Sequence, residues 1–499
     1  VDASMSFLKK LAGESVIYGL SSIVGRFLNY LLVPLYTAVM PATSGEYGVV
    51  NNMYGYTAII LILLTFGMET TFFRWANKEG ADVRKIYSSA MLVVGMISAC
   101  FLAMVFGGLT PIADALGYAA HPEYVGIMAL IVAVDAVSCI PFVYLRYQHK
   151  AVKFAALKFL NIAVNIGLNL FVFLACPAIH KAHPESIAWF YDPEYQAGYV
   201  FAINLVCTLV VALLLWKEFR FFRWGFDGKV IRSMLVYAYP IAILGVAGVV
   251  NQAADKILMP FLIPGKEGLV QLGIYNAASK IAMIMAMATQ AFRYAYEPIV
   301  FGAQKDKSDT VFVNVQGTKY FIIFSLMGFL LVMAWLDPLK ELLIRNADYW
   351  EGIRVVPIVM VAEIFMGIYF NFSFWYKLID QTLWGALFSF IGCAVLVAIY
   401  VLFVPVYGYI ACAWAGVAGY GTCMLLSYFV GQKKNPIPYD MKSAFFYAAL
   451  TAVLYVAMAY QPVGGWWGVA VNTLAVALFA YVVIQKEWGF AKLLSRFKK

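Results

Sequence analysis

Five basic side chains, Arg26, Lys256, Lys280, Arg293 and Lys319, lie inside long apolar stretches of this chain. A charge in hydrocarbon is costly, so it normally faces a protein-lined or water-filled cavity and marks a path for a substrate or ion. Basic charges there suit an anionic cargo. Arg26 is the sharpest case. Ser15, Ser22, Arg26 and Asn29 follow one another at helical spacing and share one face. Arg26 lies roughly 13 residues, or about 20 Å, from either end of its segment, too far for its side chain to reach the interface. Two readings stand: a structural ion pair with Glu69, or a planar guanidinium fork for two phosphate oxygens.

A second stripe, Asn276, Lys280, Met283, Met287, Gln290, Tyr294 and Glu297, also follows helical spacing, with Arg293 at its edge. It lines a cavity, or it is core packing in which Arg293 and Glu297 form an ordinary i,i+4 pair. By depth Asp255 matches Lys280, and Lys319 matches Glu363, as structural pairs or gates. The interior acids Glu69, Asp135, Asp255, Glu297 and Glu363 equal the five bases in number. Depth tips the balance instead: the cytoplasmic half would hold Arg26, Arg74, Arg146, Arg293 and Lys319 against Glu69 and Glu297. Such a vestibule attracts a diphosphate. The expected substrate ligands are therefore Arg26, Asn29, Glu69, Lys280, Arg293, Glu297 and Lys319.

Asp135 stands apart, central in its segment, with no basic residue at matching depth in its own lobe except Arg26. Asn161, Asn165 and Asn169 recur at i, i+4 and i+8 on the next segment, and Asn204 and Thr208 on the one after. A carboxylate with amide oxygens suits Na+, and a carboxylate alone carries H+. The candidate cation-coupling set is Asp135, Asn165, Asn169 and Asn204; a buried hydrogen-bonded polar seam is the structural alternative. No other cofactor is expected.

These residues need membrane-spanning elements to hold them. With 63% hydrophobic residues, 13% charged and a mean hydropathy of +0.79, the chain exceeds what a soluble fold can bury. It divides into about fourteen apolar segments of the length a spanning helix needs: 13–40, 46–73, 84–107, 122–146, 152–176, 196–216, 231–261, 270–300, 309–335, 353–376, 380–404, 407–431, 441–460 and 465–485. The expected fold class is an all-α polytopic membrane protein. Lys and Arg concentrate in alternate connections, such as Arg74 to Lys85, Arg146 to Lys153 and Lys217 to Arg232, which puts both termini in the cytoplasm. The net charge of +9 is then a topology signal, and no nucleic-acid partner is implied. The first segment is too long for a cleavable signal peptide, and Val1 to Ser4 before Met5 read as an expression scar.

Several chemistries are excluded. The seven cysteines have no CxxC pair and read as packing residues, neither disulfides nor zinc ligands. There is no GxxxxGK[ST] phosphate loop. His180 and His183 lack supporting carboxylates, and the longest outer connection, 177–195, holds only Glu185, Asp192 and Glu194 as acids. No catalytic pair emerges, so the chain is not read as an enzyme.

The chain repeats at an offset of about 226 residues: LLVPLY at 31–36 answers ILMPFL at 257–262, and EYGVVN at 46–51 answers QLGIYN at 271–276. Two parallel six-helix lobes follow, 5–222 and 223–434, with two extra helices and a basic tail in 435–499, and a substrate site between the lobes near the midplane. The stretches GESVIYGLSSIVGRFLNYLLVPLYTAVMPATSGEYGVVN and YAYPIAILGVAGVVNQAADKILMPFLIPGKEGLVQLGIYNAASKIA resemble the polysaccharide transporter branch of the multidrug/oligosaccharidyl-lipid/polysaccharide (MOP) exporter superfamily, which includes O-antigen flippases and is similar to lipid II flippases. The resemblance covers essentially the whole chain. It implies alternating access by two rocking lobes and movement of an undecaprenyl-pyrophosphate-linked glycan from the cytoplasmic to the outer leaflet of the bacterial inner membrane. It further implies membrane lipids and a pathway polymerase or glycosyltransferases as partners, and a cavity arginine for the pyrophosphate, which Arg26 matches. A cation-coupled multidrug exporter of the same fold and a membrane-embedded glycan polymerase are the alternatives. The sign of the central cavity separates the first two, and product chain length separates the third.

Overall fold

In a bilayer every backbone N–H and C=O must find its partner within the protein, so apolar runs of about 20 residues fold as helices. The computed structural model of the protein describes residues 30–225, 227–302, 307–379 and 381–488. Among the described residues, 13 helices are long and apolar enough to cross a membrane. They coincide, to within a turn or two at their ends, with the second through fourteenth predicted segments. Most of the first segment lies outside the described residues, and its end forms α1 (Val33–Val39).

After α1 come α2 (Glu46–Thr65), α3 (Met68–Ala76), α4 (Val83–Gly107), α5 (Pro122–Tyr147), α6 (Ala151–Leu170) and α7 (Gln196–Leu214). They are followed by α8 (Gly228–Leu262), α9 (Lys266–Gly302), α10 (Lys307–Ala334), α11 (Val356–Phe372), α12 (Leu383–Tyr407), α13 (Tyr409–Lys434), α14 (Met441–Tyr460) and α15 (Gly465–Val483). Short helical pieces fill several connections. Three helices begin on an aspartate cap: Asp82 accepts from the Lys85 N–H at 3.1 Å, Asp227 from Lys229 and Val230 at 3.0 and 3.2 Å, and Asp440 from Ser443 at 3.1 Å. Each cap satisfies donors left open by the first turn and sets a negative charge at the positive end of the helix.

The chain forms two compact units, Val1–Gly273 and Ile274–Lys499. In the first, α3, α4 and α5 close around a core of Met68, Phe72, Tyr87, Ala90 and Ala136. Lys153 at the start of α6 pairs with the buried Glu218 at 2.6 Å, and Tyr87 donates to the Glu218 carbonyl at 2.9 Å. This ties the same ends of α4, α6 and α7 together. Along α2, small residues bring backbones into contact, the packing membranes favour because lipid supplies no hydrophobic drive between helices. A side chain at Gly48 would collide with the Leu269 carbonyl, and one at Gly55 would come within 2.7 Å of Lys256 Cβ. Between them, Asn52 Nδ2 donates to the Lys256 carbonyl at 2.5 Å.

In the second unit α11 packs on α13 and α10, α12 packs on α13, and α14 and α15 pack on α10. Trp375, Tyr376, Phe388 and Cys423 form its main apolar cluster.

Candidate functional site

In the first unit α6 turns Ala151, Ala155, Ile162 and Asn169 inward, all buried. Lys158 falls on that stripe by helical spacing and yet is exposed. Asp135 is likewise exposed on α5 while Val132, Ala136 and Cys139 around it are buried. The Lys158 ammonium sits 4.3 Å from the Phe142 ring centroid and within electrostatic reach of both Asp135 and Glu69. Glu69, exposed on the first turn of α3, is hydrogen-bonded to the Cys139 thiol and faces Arg146 as well as Lys158. Arg146 lies 5.6 Å from the Phe73 ring centroid, and Arg74 lies 4.2 Å from that of Tyr237 on α8. Each ring face steadies a cation without neutralising it.

This corrects one expectation. Asp135 does have a basic neighbour in its own unit, and it is Lys158. Sequence reading missed it because a lysine about two turns into a helix passes for an interfacial charge. The usable signal was its register with Asn165 and Asn169 on one stripe. Arg26 and Asn29 lie outside the described residues, so the proposed pairing of Arg26 with Glu69 does too.

The amides behind Asp135 form a hydrogen-bonded chain. Tyr36 donates to Asn169 Oδ1 at 2.8 Å, and Asn169 Nδ2 donates to the Asn165 carbonyl at 2.8 Å and to its Oδ1 at 3.2 Å. Asn204 Nδ2 donates to the Tyr54 hydroxyl at 3.3 Å, and Thr208 donates to Asp135 Oδ1 at 3.2 Å. Asp135 thus meets a hydroxyl, while Asn165 and Asn169 meet each other. No group of three or more His, Cys, Asp or Glu among the described residues is arranged to hold a metal.

The second unit holds the remaining candidates. Arg293 Nε lies 3.4 Å from Glu297 Oε1, the i,i+4 pair, and Lys377 Nζ lies 3.9 Å from the same oxygen. The guanidinium is seated 4.8 Å from the Phe370 ring centroid. It edges a small cavity lined also by Thr289, Tyr296, Phe321 and Asn371, in which Thr289 Oγ1, Asn371 Oδ1 and Arg293 Nε have no hydrogen-bond partner among the described residues. Lys280 is half-buried on α9.

Lys319 corrects a second expectation. Its ammonium pairs with Glu487 at 2.6 Å and Asp440 at 3.0 Å, and not with Glu363. α10 begins at Lys307 and its neighbour α14 at Met441, so Lys319 is level with the capping Asp440, nearer the helix end than counting from the sequence break implied. Hydrogen bonds from Ser443, with Lys319 beside it, press the Asp440 carboxyl down to about 2. Tyr447 completes the node by donating to Glu487 Oε1 at 2.8 Å.

The fold is that of the MOP-superfamily transporters. A solved structure of the lipid II flippase MurJ in an inward closed conformation matches with a TM-score of 0.74 at 12% identity, over 94% of this chain and 99% of that one. An inward-facing multidrug resistance MATE family transporter matches at 0.63 and 10% identity, over 84% and 98%. A MOP superfamily transporter from Pyrococcus furiosus, described as having a binding pocket of reverse polarity, matches at 0.55 and 11% identity, over 84% and 95%. At such identities the likeness is one of fold. No curated protein matches significantly by sequence. Residues 11–294 match the family described as polysaccharide biosynthesis protein, more than half of the 499 residues, and the chain belongs to that family.

Proposed function

We propose that this protein is a flippase that carries an undecaprenyl-pyrophosphate-linked oligosaccharide from the cytoplasmic to the outer leaflet of a bacterial inner membrane by alternating access, for cell-surface polysaccharide assembly. The reading rests on one observation above all: Arg146 and Lys158 face Glu69, and Lys158 also faces Asp135, so two cations and two carboxylates meet inside a membrane-spanning unit, with Arg74 on the same short helix as Glu69. Family membership and the flippase-like fold support it. Arg146 offers a planar fork to a diphosphate and Lys158 a point charge. Arg26 joins them in this proposal as the deeper cation, and Na+ or H+ supplies the driving gradient. The Glu69 and Asp135 carboxylates favour a second reading, a cation-coupled exporter of organic cations.

The test is binding of undecaprenyl pyrophosphate to purified protein in nanodiscs. Arg146→Ala and Lys158→Met should each weaken binding about tenfold or more, as expected for a lost charge-assisted hydrogen bond of about 1.5–3 kcal/mol. Unchanged affinity in both folded variants overturns the diphosphate assignment. Binding of tetraphenylphosphonium that is lost in Glu69→Gln would replace it with the exporter reading.

A further inference from the structure

Glu363 is a carboxyl in the middle of a membrane-spanning helix, half-buried, with no hydrogen-bond or ion-pair partner among the described residues. Its surroundings can be read from two glycines that share its face of α11 or the turn leading into it. Three turns before it, a side chain at Gly352 would meet the Ile274 carbonyl at 2.7 Å and Ala278 Cβ at 3.2 Å. One turn after it, a side chain at Gly367 would meet Thr289 Cγ2 at 3.0 Å and collide with Phe321. α9 and α11 therefore run side by side in the same direction, and Glu363 is level with the stretch 281–288 of α9, IAMIMAMA, which carries no charge.

The other described elements packed on α11 are equally bare at that level. On α9, Lys280 lies more than a turn to one side, and Arg293 with Glu297 about two turns to the other. On α10, Lys319 is engaged by Asp440 and Glu487. α13 carries no charge before Lys433 and Lys434; its titratable groups are Tyr409, Cys412, Tyr420, Cys423 and Tyr428, none of them bonded to Glu363. α11 itself carries no other charge. An ionised carboxylate left alone in such a place is far more costly than a neutral one, and a metal ion would want several oxygen ligands where only one carboxyl is offered. A proton needs one.

We infer that Glu363 is a proton-binding site through which the second unit couples transport to a proton gradient. This rests on the transporter reading above. Two turns along its stripe toward the predicted cytoplasmic end, past Met366, stand Phe370 and Asn371 of the Arg293 cavity. That polar cavity gives a proton a route from Glu363 toward one side of the membrane.

Dicyclohexylcarbodiimide, an apolar reagent that modifies protonated carboxyls, reads the site without any substrate. In nanodiscs, Glu363 should be modified in the folded protein, and modification should fall about tenfold for each pH unit on the alkaline side of its midpoint. Glu363→Gln should remove it, and Glu363→Asp should keep it. Labelling that is flat between about pH 5 and about pH 9, or that sodium suppresses, overturns the inference. In proteoliposomes, Glu363→Gln should abolish acceleration by a proton gradient of the flipping of a fluorescent undecaprenyl-pyrophosphate disaccharide, while gradient-free exchange persists. Gradient-driven flipping by Glu363→Gln at the wild-type rate refutes the coupling role. Titrating label at Glu363 with no flipping by the wild type refutes the cargo instead and leaves the proton site standing.

Discussion

Replacing Lys319 by Met separates two roles that sequence alone left open. The side chains of Lys319 and Glu487 are 14% and 8% exposed, and that of Asp440 is 35% exposed. Removing one partner of a buried pair costs about 3–5 kcal/mol, and the partly solvated Asp440 contributes little of it, so about 3 kcal/mol is expected, or about two decades in a local opening equilibrium. The loss should fall on α14 and α15, which the node ties to α10. Amide hydrogen exchange is the assay: in Lys319→Met, residues 441–483 should exchange about a hundredfold faster, with α2 to α7 unchanged. Adding Glu487→Gln removes the orphaned charge and keeps an acceptor for Tyr447, so exchange should return to within about tenfold of the wild type. Asp440 supplies an independent sign. Its carboxyl is held at about 2 against an ordinary 3.8, so its contribution is present above pH 3.8 and is lost as pH falls toward 2. Fluorescence of Trp466 and Trp467 on α15 should change only in that window. If exchange over 441–483 is unaltered in Lys319→Met while undecaprenyl pyrophosphate binding falls, the structural account is wrong and Lys319 serves the cargo.

Two further outcomes follow from the fold. Gly48→Leu forces a side chain into the Leu269 carbonyl and should cost about 1–3 kcal/mol or more, seen as a lower unfolding temperature in detergent; Gly95→Leu, with nothing within 4 Å of the added carbon, should not. Single cysteines at Ser44, Gly107 or Val406 in a cysteine-free background should label from outside the cell, and those at Asn77, Asp306 or Asn435 only after permeabilisation; outside labelling at Asp306 refutes the orientation.

The helices were legible because lipid leaves the backbone no alternative: length and apolar content suffice to place 13 of them. The partners of interior charges were harder. Counting residues misplaces Lys319 in depth because the helices overhang unequally, and its acids stand at the cap of α14 and beyond the end of α15 rather than on α11. Lys158 stands near a helix start, where a lysine passes for an interfacial charge, although Ala151, Ala155, Ile162 and Asn169 on its stripe are buried. Arg293 with Glu297 was readable because both sit on one helix, where spacing alone fixes the distance. Contacts between helices far apart in sequence, such as Cys139 with Glu69, leave no such periodic trace.

The glycine seam of α2 bears on how this protein tolerates change. Gly48 and Gly55 carry no reactive group, and their value lies in the atoms they lack. A survey of random variants would find this line among the least permissive in the chain, and a naive reading of that map would mistake it for a binding site. A side chain at Gly48 meets the Leu269 backbone, which no substitution shortens, so a rescue is open only to damage at Gly55, as Lys256→Gly.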